Sequence, residues 1–250
     1  MVNNKLYTGI EERFHNEKYQ GKIALPRHYA LNPTYSIFVK MKEMLGEISG
    51  KRILEYGCGE GWITAEMASM GGRVDAFDIS SEAIENATQF LRKNNLLDKC
   101  NLKQMAAEQL NYNDETYDLV VGFAILHHLD LSKAVPELVR VMKKGGRAYF
   151  AEPLGENPVV NLYRYLTPQY RTPTEKPIVF KEFNKFLVNF VSYKHTEYFF
   201  LTLLPIALAN FSVRLASILM PYFIKLDAVI LKKAPFIRRY AWYSLIELTK

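Results

Sequence analysis

One carboxylate and three glycines lie close together in a single short segment, at Glu55, Gly57, Gly59 and Gly61. A β-prone run precedes the glycines, and a helical pattern follows from Trp62 to Met70. At such a strand–helix turn a ligand can lie against bare backbone, because glycine has no Cβ, and the start of the helix offers free N–H groups. The carboxylate could bind a cationic or hydroxylated part of that ligand. The spacing is not that of the dinucleotide-binding motif, because Trp62 occupies the place of its third glycine.

Further polar side chains follow other predicted strands. Asp78 ends the strand predicted at residues 73–77, 21 residues after Gly57. At this offset an acidic residue can accept hydrogen bonds from both hydroxyls of a ribose. His127 and His128 follow the strand predicted at residues 117–121 and are the titratable pair best placed for acid–base chemistry. Alternatively, the two histidines have structural roles, in which one caps the local turn and the other packs at the rim of the site.

Short apolar strands alternate with helical segments along the chain. Strands are predicted at residues 53–56, 73–77, 102–105, 117–121, 147–151, 193–200 and 240–248. Helices are predicted at residues 10–19, 62–70, 81–94, 131–143 and 181–191. This alternation predicts an α/β fold, a doubly wound Rossmann-like sheet of seven mostly parallel strands with helical cap insertions near the C-terminus. Ligands of such sheets bind beyond the carboxyl ends of the strands, where all the residues named above fall.

Five motifs occur in a fixed order, at Glu55–Gly61, Phe77–Ile79, Ala106–Glu108, Ala124–Leu129 and Arg140–Gly146. In that order, over roughly residues 50 to 152, they resemble the motifs of the class I S-adenosylmethionine-dependent methyltransferases. The resemblance implies that S-adenosylmethionine is the cofactor and that S-adenosylhomocysteine is the product formed from it.

The resemblance also implies roles for single residues at the cofactor. The glycine turn, which includes Cys58, would pass under the methionine and ribose, with Glu55 near the methionine amino group. Asp78 would bind the ribose hydroxyls. The adenine would be contacted by Ile79, Ala107 and Glu108. Phe123 would either face the adenine or the sulfonium, or belong to the core.

Composition agrees with one domain of three parts. These are a helical cap in residues 1–50, the cofactor-binding core in residues 51–152, and the last two strands with substrate-cap insertions in residues 153–250. Two cysteines in 250 residues indicate neither a disulfide framework nor a metal site. The polar N-terminus lacks the apolar core of a signal peptide, which favours a cytoplasmic location.

An excess of positive charge and more than half of the aromatic residues lie in the last part of the chain. Residues 1–152 contain 19 lysines and arginines against 20 acidic residues, whereas residues 153–250 contain 13 against 6, with 18 of the 33 aromatic residues. Arginines alternate with aromatic residues at Tyr163–Tyr165, but nucleic-acid binding is disfavoured, because such modules carry denser basic stripes. Substrate choice is therefore predicted to depend on this part.

Two insertions in this part, at residues 153–190 and 201–238, should fold over the active site as a lid, because the sixth strand is predicted to end at the cofactor edge. The second insertion is apolar from Leu201 to Leu231 and is predicted to break at Pro205 and Pro221. A single membrane crossing is excluded, since the chain must return to the same sheet.

A lid over a lipophilic acceptor, or peripheral contact with a membrane through residues 201–239, fits the second insertion better. A basic cluster near its end, at Lys232, Lys233, Arg238 and Arg239, suits an anionic lipid surface or an acidic group of the substrate. The alternative is a solvated charged face beside an apolar homodimer interface.

The predicted function is methyl transfer to a small lipophilic acceptor, more at oxygen of a phenol, quinol or acid than at nitrogen or carbon. The alternatives are an N- or C-methyltransferase, a methyltransferase of a membrane lipid, and a non-catalytic cofactor-binding or membrane-associated scaffold. A phenol benefits from a general base, for which His127 and His128 are the candidates, whereas a carboxylate needs none. The N-terminal helix, with His15 and Tyr19, should close over the cofactor.

Overall fold

A single sheet runs through the part of the chain that this computed structural model describes, residues 4–23, 31 and 33–250. Its seven strands lie in the order β3-β2-β1-β4-β5-β7-β6. They are β1 (Arg52–Tyr56), β2 (Arg73–Asp78), β3 (Cys100–Gln104), β4 (Tyr117–Phe123), β5 (Met142–Pro153), β6 (Ser192–Tyr198) and β7 (Tyr243–Thr249). Strands β1 to β5 are parallel, and β7 is antiparallel to both β5 and β6. The predicted fold class is confirmed.

Helices cover both faces of the sheet. They are α1 (Asn4–Tyr19), α2 (Tyr35–Leu45), α3 (Trp62–Ser69), α4 (Ser81–Lys93), α5 (Leu131–Val141), α6 (Pro158–Leu166), α7 (Phe180–Leu187), α8 (Leu203–Leu208) and α9 (Val213–Lys233). Neighbouring residues of one strand serve opposite faces, because side chains alternate along a strand. Ile53 packs in one apolar core with α2 and α3, and Leu54 packs in the other with α5 and α7. This burial on both faces explains the continuous apolar runs of the central strands.

Several predicted boundaries were wrong. Helix α5 ends at Val141 and β5 begins at Met142, whereas the sequence predicted a helix to Lys143 and a strand from Arg147. Tyr117 pairs with Met142 across a register shift in the β4–β5 ladder, so pairing with β4 extends the strand towards its start. Helix α1 begins at Asn4 rather than Ile10.

The predicted breaks at Pro205 and Pro221 were also wrong. Pro205 lies inside α8 and Pro221 inside α9, and the two helices are separated instead at residues 209–212, where Ser212 caps α9 by accepting a hydrogen bond from the Leu215 N–H. A proline removes one helical hydrogen bond, but α9 continues because its turns on both sides bury Met220 and Leu231 against the protein. No helix among the described residues has the length and apolarity needed to cross a membrane.

The carboxyl edge of the parallel strands gathers the segments that were predicted to carry chemistry. Strand β6 runs in the same direction as β5, because β7 is antiparallel to both. The chain therefore leaves β5 towards α6, and β6 towards α8, at that edge. Helix α1 reaches the same edge from the N-terminal side, where the Asn16 side chain accepts a hydrogen bond of 2.6 Å from the Ser80 hydroxyl.

Candidate active site

A cavity of about 490 Å³ opens at the carboxyl edge of the sheet. Eight of the residues predicted from the sequence line it, namely Gly57, Asp78, Ile79, Ala107, Glu108, Phe123, His127 and His128. Four others, Glu55, Cys58, Gly59 and Gly61, lie behind or beside the cavity wall. The sheet thus brings the strand ends into one site, as expected for the point where the strand order reverses between β1 and β4.

The carboxylate of Asp78 holds two turns at one end of this cavity. Its Oδ2 accepts a hydrogen bond of 2.9 Å from the Gly59 N–H, and its Oδ1 accepts one of 3.0 Å from the Ser80 N–H. The side chain is buried, yet it lines the cavity. Each carboxylate oxygen has a second lone pair, so Asp78 can still accept hydrogen bonds from a ligand.

Glu55 lies behind the glycine turn, fully enclosed by the protein. Its Oε2 accepts a hydrogen bond of 2.5 Å from the Thr64 hydroxyl. Burial raises the pKa of Glu55 to about 8, although the bond from Thr64 opposes this shift. Glu55 is therefore largely protonated at neutral pH in the ligand-free protein.

The absence of a side chain at each glycine leaves room for a different neighbouring residue. A Cβ at Gly61 would lie 2.9 Å from the Cβ of Ala87, so this glycine allows α3 and α4 to pack closely. A Cβ at Gly59 would lie 2.7 Å from the Tyr19 hydroxyl oxygen, so α1 covers the turn at that point. Both glycines have positive φ, 52° at Gly59 and 82° at Gly61, which other residues rarely adopt.

Helix α1 forms the roof of the cavity. Glu11, His15, Lys18 and Tyr19 all line it. The sequence prediction included His15 and Tyr19 but missed Glu11 and Lys18. Glu11 lies four residues before His15 and Lys18 three residues after it, and these spacings, which place side chains on one face of a helix, were the available signal.

His127 is held on the opposite wall by a buried carboxylate. Its Nδ1 lies 2.8 Å from Glu152 Oε2, and Glu152 Oε1 accepts hydrogen bonds from the N–H groups of Ile125 and Leu126. Burial raises the pKa of Glu152 to about 7 and lowers the pKa of His127. The imidazole is therefore neutral and fixed in orientation, and the N–H groups of the local turn are bound by Glu152 and not by a histidine.

His128 belongs to a different cluster, which includes two residues of α1. Glu11 Oε2 lies 3.1 Å from His128 Nδ1 and 3.5 Å from His15 Nε2. Burial alone would raise the pKa of Glu11, but the two imidazoles beside it lower that pKa below its usual range. Glu11 is thus an ionised carboxylate between two histidines.

Two of the lining residues belong to β4 and α6. Phe123 of β4 lines the cavity and also contacts the rings of Trp62 and Tyr243, and its predicted contact with the cofactor stays a prediction. Arg164, predicted only as part of an aromatic and basic run, lines the cavity as well, and burial lowers its pKa to about 10.

Residues 54–150 match the family described as "Methyltransferase domain". The match covers the part of the chain that carries the five motifs, and the predicted resemblance to the class I S-adenosylmethionine-dependent methyltransferases is confirmed.

Two curated relatives carry names from quinone biosynthesis. The ubiquinone biosynthesis O-methyltransferase of Rickettsia typhi is 37% identical over 113 residues, which are 45% of this chain and 45% of that protein. The ubiquinone/menaquinone biosynthesis C-methyltransferase of Pectobacterium atrosepticum is 31% identical over 114 residues, 44% of this chain and 45% of that protein. The chain spans about half the length of the curated relatives it matches.

Among solved structures, the chain is similar to geranyl diphosphate C-methyltransferase from Streptomyces coelicolor A3(2), solved in complex with Mg²⁺, geranyl diphosphate and S-adenosyl-L-homocysteine. The TM-score is 0.60 at 16% identity, covering 83% of this chain and 75% of that chain. This similarity shows a common fold.

The residues at the Asp78 end fit S-adenosylmethionine, the cofactor that the resemblance implies. A carboxylate with free lone pairs suits the ribose hydroxyls, and the apolar side chains of Ile79, Met105 and Ala107 line the space beside it, as an adenine requires. The particular contacts remain predictions.

The Asp78 assignment predicts the effect of Asp78→Asn, which removes the charge and one acceptor oxygen. The variant should bind S-adenosylmethionine at least tenfold more weakly in calorimetry, because a hydrogen bond to a charged group contributes about 1.5–3 kcal/mol. Its melting temperature should fall, because Gly59 or Ser80 loses a charged acceptor. Glu85→Gln, on the exposed side of α4, is the control and should change neither quantity. Normal affinity in folded Asp78→Asn would contradict the ribose assignment.

The raised pKa of Glu55 predicts that cofactor-free protein loses stability with rising pH. The unfolded chain releases the Glu55 proton near 4.5, whereas the folded chain keeps it to about 8, so ionisation favours unfolding across that interval. Glu55→Gln should remove this pH dependence. The free energy of unfolding of the variant, relative to that of the wild-type protein, should therefore rise by about 1.4 kcal/mol per pH unit between pH 5 and 8, a few kcal/mol in all. Urea unfolding at several pH values measures it. A constant difference would show that Glu55 is ionised in the fold.

Proposed function

We propose that this chain is an S-adenosylmethionine-dependent methyltransferase that methylates an oxygen of a small lipophilic acceptor, such as a phenol or quinol. The observation that carries the proposal is one continuous cavity that joins the Asp78 end to a second end with histidines and apolar side chains. The O-methyltransferase name of the relative from Rickettsia typhi supports oxygen as the target, although the C-methyltransferase from Pectobacterium atrosepticum is similar to nearly the same extent.

Methyl transfer demands little of the side chains beyond alignment. The sulfonium of the cofactor is already activated, so holding the acceptor in line with the methyl group supplies much of the rate. A phenolic hydroxyl must also lose its proton. We assign the contact with this hydroxyl to His128, which lines the cavity and whose ring centroid lies 4.1 Å from that of His127. His127, fixed by Glu152, would position His128 and the acceptor.

Both predicted insertions contribute to the acceptor end. Val160 and Arg164 of α6 line the cavity, as do Leu203 and Ile206 of α8. These mostly apolar walls support an acceptor with a substantial apolar part, since burial of apolar surface contributes about 25 cal/mol per Å². The two segments would act as the lid that selects the acceptor.

Peripheral membrane contact is the second element of the proposal. Helix α9 buries one face and exposes apolar side chains on another, where Leu215, Ile218 and Tyr222 are 46%, 56% and 69% exposed. Lys232 and Lys233 follow at the end of the same helix. An apolar face with nearby lysines suits an interface with anionic lipids, from which a lipophilic acceptor could enter the lid.

The function is tested with radiolabelled cofactor and a panel of phenols, quinols, fatty acids and amines, in buffers with and without Mg²⁺. Phenols or quinols should be methylated. His128→Asn should lower the turnover number roughly 10²- to 10⁴-fold, the range for a lost proton-transfer group, with cofactor affinity retained. Phe211→Ser, an exposed change outside the cavity wall, should leave turnover unchanged. Cofactor binding without transfer to any acceptor would favour the scaffold alternative, and preferred transfer to amines would contradict oxygen as the target.

The membrane contact is tested by sedimentation with anionic liposomes at low salt. Replacing Leu215, Ile218 and Tyr222 together by Gln should weaken binding at least tenfold, and Lys232→Glu with Lys233→Glu should do so by a similar factor, because each basic residue near such a surface contributes about 1 kcal/mol. Val188→Gln, at an exposed apolar residue directly after α7, is the control. Wild-type protein that ignores liposomes but elutes as a dimer would replace the membrane proposal by the homodimer alternative.

A further inference from the structure

Two buried polar atoms at the acceptor end of the cavity have no hydrogen-bond partner among the described residues. They are Glu11 Oε2 and His128 Nδ1. The atoms are 3.1 Å apart, but they are not aligned for a hydrogen bond with each other. Buried polar atoms in native proteins are nearly always paired, and an unpaired one commonly marks a bound water or ion. The two atoms therefore approach each other beside the cavity, which both residues line.

His15 provides a third donor atom at that point. Glu11 Oε2, His15 Nε2 and His128 Nδ1 all lie within 4.8 Å of one another. Ligand atoms at about 2.0–2.2 Å from one cation in tetrahedral geometry lie roughly 3.4 Å apart. The two measured separations from Glu11 Oε2, 3.1 and 3.5 Å, bracket this value.

The carboxylate is also supported from behind. Glu11 Oε1 accepts hydrogen bonds from the hydroxyls of Thr172 and Thr174, so the other oxygen is left to point at the two histidines. Carboxylates that bind metals are commonly oriented in this way by outer hydrogen bonds. The side chain of Glu11 is 4% exposed, and those of His15 and His128 are 14% and 12% exposed, so the cluster is enclosed but open on its cavity side.

We propose that Glu11, His15 and His128 bind a divalent transition-metal ion of the Zn²⁺ or Mn²⁺ type at the acceptor end of the cavity. Two imidazoles and one carboxylate favour such ions over Mg²⁺, which prefers oxygen ligands. Three protein ligands leave a coordination position for an oxygen from the cavity, as in catalytic rather than structural sites. The site was not predicted from the sequence, which indicated no metal.

The role of the ion rests on the O-methyltransferase function proposed above. An acceptor hydroxyl bound to the ion loses its proton more readily, as metal-bound water does, and the proton leaves to solvent. A lone pair of this oxygen then forms the new C–O bond while the C–S bond of the sulfonium breaks, leaving a neutral thioether. His128 would thus act on the acceptor through the ion, and no separate general base is needed.

A second group of possible ligands shares one histidine with this site. His127, His128 and Glu175 also have donor atoms within 4.8 Å of one another. However, Glu175 lies 3.8 Å from the Arg171 guanidinium, whose positive charge opposes a cation at this carboxylate. Glu175→Gln is therefore a control for Glu11→Gln, because both variants remove one carboxylate charge near His128.

Metal binding is tested on chelator-treated full-length chain without a histidine tag and without cofactor. Calorimetry with Zn²⁺ should give one site per chain, and Co²⁺ should give visible absorption bands typical of histidine ligation. Glu11→Gln and His15→Gln should each lower Zn²⁺ affinity at least tenfold, whereas Glu175→Gln should not. His15→Gln is the second variant in case Glu11→Gln disturbs folding, which the melting temperature reports. No Co²⁺ spectrum, or loss of binding only in Glu175→Gln, would overturn the site.

Turnover measurements distinguish a failure of the metal proposal from a failure of the proposed function. Chelation should abolish methylation of a phenol, and Zn²⁺ or Mn²⁺ should restore it better than Mg²⁺, with unchanged cofactor affinity. Undiminished turnover of the metal-free enzyme would overturn the role of the ion and leave O-methylation standing. Zn²⁺ binding through Glu11 without transfer to any acceptor would instead refute the proposed function and leave the metal site standing.

Discussion

The carboxylate of Asp78 is the contact on which the arrangement of the site depends. One of its oxygens binds the N–H of Gly59 in the glycine turn, and the other binds the N–H of Ser80 at the start of α4. Ser80 in turn caps α4 and binds Asn16 of α1. The glycine turn, a flanking helix and the roof of the cavity are therefore connected through one side chain, which explains why a residue expected at a ribose is also structural.

Two other carboxylates lie near the ends of parallel strands on either side of β4, and burial gives them different roles. Glu55, near the end of β1, accepts one hydroxyl donor, whereas Glu152, near the end of β5, accepts three backbone N–H groups and contacts the imidazole of His127. Burial raises the pKa of both, to about 8 and about 7. Glu152 joins β5 to the turn that follows β4, so it sets the position of the histidines, while Glu55 stabilises the packing beneath the glycines.

The sequence predicted the sheet and its edge well because those features follow from local patterns. Alternating apolar strands and helices, glycines at a turn and Asp78 at a strand end are all visible within short windows. The contacts of Glu11 are not visible in a short window, because His128 and Thr172 lie more than a hundred residues away from it along the chain. Pro221 misled the prediction for a related reason, because a helix that packs Leu231 into a core formed by distant segments tolerates a proline that local preference disfavours.

Helix α1 contacts the rest of the protein mainly through polar side chains and little through apolar ones. Among the residues whose side chains the structure describes, neither apolar core includes one from α1, and the helix contacts the rest of the protein largely through polar side chains such as Asn16 and Glu11. Elements that contribute little to a core open at a fraction of the free energy of global unfolding. Since the same helix covers Gly59 and reaches His128, one such opening would expose both ends of the cavity together. Amide hydrogen exchange in α1 should therefore be slowed by either ligand, and the two reactants would enter and leave through a shared gate.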